Sequence, residues 1–253
     1  MNHPLRIVQI SDTHLLGHPG DQFRGVDTRQ SLDRVLALIR QRFWPVDMVI
    51  ATGDLAHDGS LASYRELFER FTGLGTPVYC LPGNHDNGRW LRGALNHGRV
   101  RTVGAVAVPD WLLVLLDSTL PGAAAGQLSQ AELQRLSQLL EQHPDCHVLV
   151  FLHHHPVPVH SPWLDQMALE NPGELFSRMD LHPNVRALLW GHVHQVYEGE
   201  RKGVRLLGCP ATSLQFLPRT PELQVDTLPP GFRWLRLFPG GQMETGLEWL
   251  DSI

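Results

Sequence analysis

Five apolar runs in this chain end in the same way, and that pattern restricts the folds open to it. Leu5–Ile10 leads into Ser11-Asp12-Thr13-His14, and residues 46–51 lead into Thr52-Gly53-Asp54. Residues 77–81 lead into Pro82-Gly83-Asn84-His85-Asp86, and residues 146–152 into His153-His154-His155-Pro156. Residues 186–190 lead into Gly191-His192-Val193-His194. Each run has the length of a buried strand, and Leu5–Ile10 is rich in β-branched residues. Each then stops at residues that can turn the chain and present an imidazole, a carboxylate or an amide.

Helical spacing fills the gaps between these runs. Leu32, Val35, Leu36 and Ile39 form one stripe, Tyr64, Leu67, Phe68 and Phe71 a second, and Leu133, Leu136 and Leu140 a third. Start signals precede them: Asp27 with Gln30, Ser60, and Ser129 with Glu132. Asn171-Pro172 with Glu174 marks another start. Residues 87–104 show no period and are expected to be irregular. Residues 103–108 and 111–116 suggest a strand pair joined at Pro109-Asp110, and 204–207, 232–238 and 243–249 are strand-like. Strands alternating with helices predict an α/β sheet covered by helices. With no repeat and no linker, residues 1–253 are expected to form one domain.

Charge and cysteine content narrow the function. Asp+Glu 26 exceed Lys+Arg 21, so no basic face is implied and nucleic acid is not an expected partner. Cys80, Cys146 and Cys209 fit no disulfide or zinc spacing. The first residues carry no signal-peptide apolar region, and no run is long enough to span a bilayer. A cytoplasmic protein without a membrane partner is expected. Histidine, at 15 residues, points to metal or proton chemistry.

In open α/β sheets, sites form at the carboxyl edge of the strands. Asp12, His14, Asp54, Asn84, His85, His153, His192 and His194 can therefore converge although they lie far apart in sequence. Carboxylates, an amide oxygen and imidazoles make a mixed O/N set suited to first-row divalent ions. Leaving His85 aside, the other seven donors are too many for one tetrahedral ion and fit two ions sharing a bridging carboxylate.

Taken in order, Asp12-Thr13-His14, Gly53-Asp54, Gly83-Asn84-His85-Asp86, His153 and Gly191-His192-Val193-His194 resemble the motif blocks of the calcineurin-like metallophosphoesterases. The resemblance covers essentially the whole chain. It is nearest to the bacterial class III 3′,5′-cyclic AMP phosphodiesterases, on the stretches His153-His154-His155-Pro156, Trp163-Leu164-Asp165-Gln166 and Pro230-Gly231-Phe232-Arg233-Trp234. It implies a two-sheet β-sandwich flanked by helices, with a dimetal site at the strand C-terminal ends. It also implies one ion on Asp12, His14, Asp54 and His194, and a second on Asp54, Asn84, His153 and His192, the ions being Fe²⁺ or Mn²⁺. A cyclic nucleotide would lie against His14, Asp54, Asn84, His85, His153 and His194.

On that reading a bridging hydroxide attacks phosphorus and His85, oriented by Asp86, protonates the leaving oxygen, giving 5′-AMP. Strand alternation turns His154 away from His153 and His155. The family spacing to the Gly-His-x-His block favours His153 over His154 as the ligand, with His155 at the substrate edge. His3, His18, His57, His97, His143, His147, His160 and His182 are expected on surfaces or loops. Trp163 and Asp165 suit either a cover over the substrate or local loop packing. Phe216 suits either base stacking or core, and Tyr64 is expected to be a core aromatic. Another phosphodiester, such as a glycerophosphodiester or a nucleotide-linked lipid precursor, is the alternative substrate, a non-catalytic scaffold is the remaining class, and monomer and homodimer are both open.

Overall fold

The apolar runs become strands covered on both faces, which is why they read as continuous stretches. The computed structural model describes residues 3–251. One sheet has the order β12-β11-β1-β2-β3-β4, from β1 (Leu5–Ile10), β2 (Met48–Thr52), β3 (Val78–Leu81), β4 (Val100–Arg101), β11 (Gly231–Leu237) and β12 (Met243–Trp249). The other has the order β5-β6-β7-β8-β10-β9, from β5 (Ala105–Val108), β6 (Trp111–Leu115), β7 (His147–Phe151), β8 (Val185–Trp190), β9 (Tyr197–Arg201) and β10 (Val204–Gly208). β1, β2 and β3 are mutually parallel, as are β6, β7 and β8. The motif-bearing ends of each sheet therefore leave at one edge.

Period-two alternation sorts the strand residues into three cores. Ile7, Ile50 and Leu81 of the first sheet meet Leu113, Leu149, Phe151 and Leu189 of the second. Val8, Ile10, Val49 and Ala51 face outward onto α1 (Thr28–Arg42) and α2 (Leu61–Gly73). Leu112, Val114, Val150 and Leu188 face outward onto α4 (Gln130–Gln142) and α6 (Pro172–Met179). Two sheets with helices on both outer faces form the expected sandwich. Asp27, Ser60 and Ser129 cap their helices through side-chain oxygens. The Ser129 box is only half made, because Glu132 instead accepts from Asp117 N and binds Arg135.

Two segments differ from expectation. Within 87–104 lies α3 (Gly88–Leu95), capped by Asn87 Oδ1 on the backbone N–H groups of Arg89 and Trp90. Two glycines obscure its period, and buried Leu91 and Leu95 join the core that α2 shares. Strand β9 was not anticipated, because its Glu198, Glu200 and Arg201 lack an apolar signature. It is the open edge of its sheet, where charge discourages further pairing. Lys202 and Gly203, with φ of 51° and 81°, turn it back onto β10. Between β7 and α6 the chain forms only the short helix α5 (Pro162–Asp165).

Phe151 is fully buried between the sheets, two positions before His153. Phe151→Ala is expected to cost about 3–5 kcal/mol in denaturant unfolding; a loss below about 1 kcal/mol would mean that the sheets are not held by this core.

Candidate metal centre

Packing the two sheets face to face sets their carboxyl edges against one another. Asp12, beyond β1, is fully buried, and both its oxygens accept from His192 N, at 3.2 and 3.0 Å. His194 Nε2 lies 3.4 Å from Asp12 Oδ1 and 3.1 Å from His14 Nε2. His14 Nε2 lies 3.7 Å from Asp54 Oδ2. His153 Nε2 lies 3.4 Å from that same oxygen and 3.2 Å from Asn84 Oδ1. The His192 ring lies 5.0 Å from that of His153, centre to centre. All seven donors come together, with Asp54 between the two halves. His85 stands beside them, its backbone N donating to Asp54 Oδ1 at 2.9 Å and its exposed ring edge-on to His14 at 5.0 Å.

Two motif glycines follow from this crowding. A Cβ on Gly83 would collide with Asp54 N and Oδ1 and lie 2.7 Å from His153 Nε2. A Cβ on Gly191 would collide with Ser11 Oγ and lie 2.8 Å from Asp12 Oδ2. The donors occupy the space a side chain would need. The backbone is also strained where it presents them. Asp12, His14, Asp54, His192 and His194 have φ of 55°, 46°, 48°, 67° and 47°. Each such residue costs on the order of 1–3 kcal/mol and persists only where its surroundings impose it.

The donor chemistry fits cations. His153 Nδ1 lies 2.8 Å from Thr52 O and His194 Nδ1 lies 2.7 Å from Leu214 O. A carbonyl only accepts, so each Nδ1 carries a proton and each Nε2 is the nitrogen turned inward, able to offer its lone pair to a cation. His192 Nε2 is buried without a hydrogen-bond partner. Burial, followed by neighbouring imidazoles, holds His192 and His154 well below the usual histidine range, in the neutral ligand form. Burial likewise lowers His14, outweighing the opposing pull of Asp54. Burial alone would push His153 down and Asp54 up. Their mutual contact outweighs it, raising His153 to about 9 and holding Asp54 well below the carboxylate range. A divalent ion shared by the two would displace that proton.

Residues 5–196 match the family model described as calcineurin-like phosphoesterase. The chain belongs to the calcineurin-like phosphoesterase family. It is 38% identical over 247 residues to the 3′,5′-cyclic adenosine monophosphate phosphodiesterase CpdA of Pseudomonas aeruginosa, covering 98% of this chain and 90% of the relative. It is 39% identical to CpdA of Escherichia coli K12, covering 97% and 90%. A dimetal phosphatase from Danio rerio has the same fold, with a TM-score of 0.68 at 14% identity over 96% of this chain and 98% of that one.

Three surroundings differ from expectation, and two that were open are resolved. Asp86 does not orient His85: its carboxylate accepts from the backbone N of Leu55, Ala56 and Gly83 and from Tyr64 Oη. His85 Nδ1 instead meets the carbonyl of His57 at 3.1 Å. His57 itself, expected on a surface loop, stacks on His85 at 4.6 Å and lies against His14. His154 is not turned away, because β7 ends at Phe151 and strand alternation ends with it. Its Nδ1 pairs with Ser118 Oγ at 2.8 Å, and one of its ring nitrogens falls within 4.8 Å of one each from His153 and His192. Phe216 is buried with its ring stacked on His194 at 4.2 Å, which is core packing rather than an open stacking face. Asp165 Oδ1 accepts from Val159 N, as local loop packing requires, and lies 3.5 Å from His155 Nε2.

Tyr64 is more than a core aromatic, since its hydroxyl donates to Asp86 and accepts from Asn87 N at 2.8 Å. Tyr64→Phe removes both bonds beneath the Gly83–Asp86 turn. It is expected to lower unfolding stability by about 1–3 kcal/mol and to weaken Mn²⁺ binding in a chelator competition; wild-type values for both would contradict this role.

Proposed function

We propose that this protein is a dinuclear-metal phosphodiesterase that hydrolyses 3′,5′-cyclic AMP to 5′-AMP. The observation that carries the reading is the position of Asp54, whose Oδ2 reaches His14 on one side and His153 on the other. Asp12, His14, Asp54 and His194 would hold one ion, and Asp54, Asn84, His153 and His192 the other. Imidazole, carboxylate and amide donors suit Fe²⁺ or Mn²⁺. When bound, the pair supplies Lewis acidity, acidifying water and offsetting charge on the phosphate.

The remaining work falls to the chain itself. His14, Asp54, Asn84, His85, His153 and His194 face the phosphate. Asn84 adds no negative charge, so the shell does not repel an anion. The contact from His85 Nδ1 to the His57 carbonyl leaves Nε2 free at the exposed rim. Protonated, that nitrogen donates its proton to the ribose 3′ oxygen as the P–O3′ bond breaks. The oxygen of water enters phosphorus opposite that leaving oxygen, and the proton it gives up passes to solvent and so restores protonated His85. The near full-length similarity to proteins named for 3′,5′-cyclic AMP supports this substrate over other phosphodiesters.

We read residues 1–253 as one domain, because the sheets share a buried core. Among the described residues no helix is long and apolar enough to cross a membrane. Three free thiols suit the reducing cytoplasm, where a monomer or homodimer would act on a small molecule.

Assayed with Mn²⁺ against a panel of phosphodiesters, purified protein is expected to convert 3′,5′-cyclic AMP fastest, and chelator to abolish turnover until Mn²⁺ is restored. Faster hydrolysis of another diester would overturn the substrate assignment. His85→Ala is expected to retain metal while kcat falls about 10²–10⁴-fold, whereas Asp54→Ala should lose metal and activity together. Normal turnover in His85→Ala would remove its role.

A further inference from the structure

We propose that His57 is a positioning residue for both His14 and His85, an inference that rests on the dimetal reading above. Its backbone is fixed from two sides. His57 N donates to Leu15 O at 2.7 Å, and its carbonyl accepts from His85 Nδ1 at 3.1 Å. The neighbouring Asp58 accepts from Gly17 N and Ser60 N, which pins the loop further. The ring then has little freedom. It stacks on His85 at 4.6 Å and 22°, and Phe23 packs 4.4 Å from it.

The contact with His14 has a direction. His153 and His194 each give an Nδ1 proton to a backbone carbonyl. At His14 the partner is instead the His57 ring, with the two Nδ1 atoms 3.1 Å apart. One of the two must donate and the other accept. With His14 Nε2 turned to Asp54 and His194 as a ligand lone pair, His14 Nδ1 carries the proton. His57 Nδ1 is therefore the acceptor, and its own proton sits on Nε2. One side chain thereby sets the tautomer and angle of a ligand through its edge, and supports the acid through its face and carbonyl. Neither effect requires His57 to touch ion or substrate.

Two variants separate these duties. Asn at 57 places an amide oxygen about where Nδ1 stood but has no ring. Phe keeps a ring against His85 but accepts nothing. Mn²⁺ stoichiometry and affinity are read by competition with a chromogenic chelator, and kcat is read on 3′,5′-cyclic AMP at saturating Mn²⁺. His57→Phe is expected to bind one of two Mn²⁺ about 10–100-fold more weakly, while His57→Asn keeps wild-type affinity and loses kcat. Tight binding of both ions by His57→Phe would overturn the proposal for His14. Equal weakening in both variants would show a merely structural role and overturn it too. Unchanged kcat in His57→Asn would overturn the proposal for His85. A wild-type protein that binds no Mn²⁺ would overturn the dimetal reading itself, and this proposal with it.

Discussion

Two carboxylates buried side by side must be met by positive charge. Asp12 and Asp54 are 0% and 3% exposed, and the fold gives them imidazoles as close partners. Burying an uncompensated carboxylate is prohibitive, so such a group is paired, protonated or bound to metal. Imidazole can act as a proton carrier or as a neutral donor. The protein's own charges favour the first role for the His153–Asp54 pair. Burial favours the second for His14 and His192. A pair of cations would satisfy all of them together, at the cost of one displaced proton. The left-handed backbone at five of these donors shows how firmly the surroundings dictate where they point.

That dictation comes from the sandwich. Each sheet supplies only part of the donor set: Asp12, His14, Asp54 and Asn84 follow strands of the first, and His153, His192 and His194 follow strands of the second. The inter-sheet core of Ile50, Leu81, Leu149, Phe151 and Leu189 ends one to three residues short of Asp54, Asn84, His153 and His192. Packing energy and site geometry are thus coupled. Side-chain bonds lock the join: Ser213 Oγ donates to Asp12 O at 2.7 Å, and Gln9 Nε2 reaches Trp190 O at 3.3 Å. The glycines at 83 and 191 are what allow so many heavy atoms to share so little space.

Much of this was legible in the sequence, because strand ends and ligand chemistry coincide. A short, largely apolar run stopping just before Asp-x-His carries both pieces of information in adjacent positions. The cap residues were legible for the same local reason. What escaped depended on contacts distant in sequence. His57 looks like any loop histidine until the 15–26 loop and the Gly83–Asp86 turn close around it. Tyr64 reads as one more aromatic in a helical stripe, and only the fold brings its hydroxyl to Asp86. The pairing of Asp86 with backbone amides, rather than with the adjacent His85, is fixed by the turn and not by adjacency. Helix α3 and strand β9 escaped because one is held by packing despite its glycines and the other sits at a charged edge.

The central claim is that one carboxylate joins two cation sites. Anomalous diffraction at the manganese edge, from crystals grown with Mn²⁺, tests it most directly. Two peaks, both within bonding distance of the Asp54 carboxylate, are expected, with His14 and His194 on one and His153 and His192 on the other. A single peak, or two peaks of which Asp54 touches only one, would contradict it.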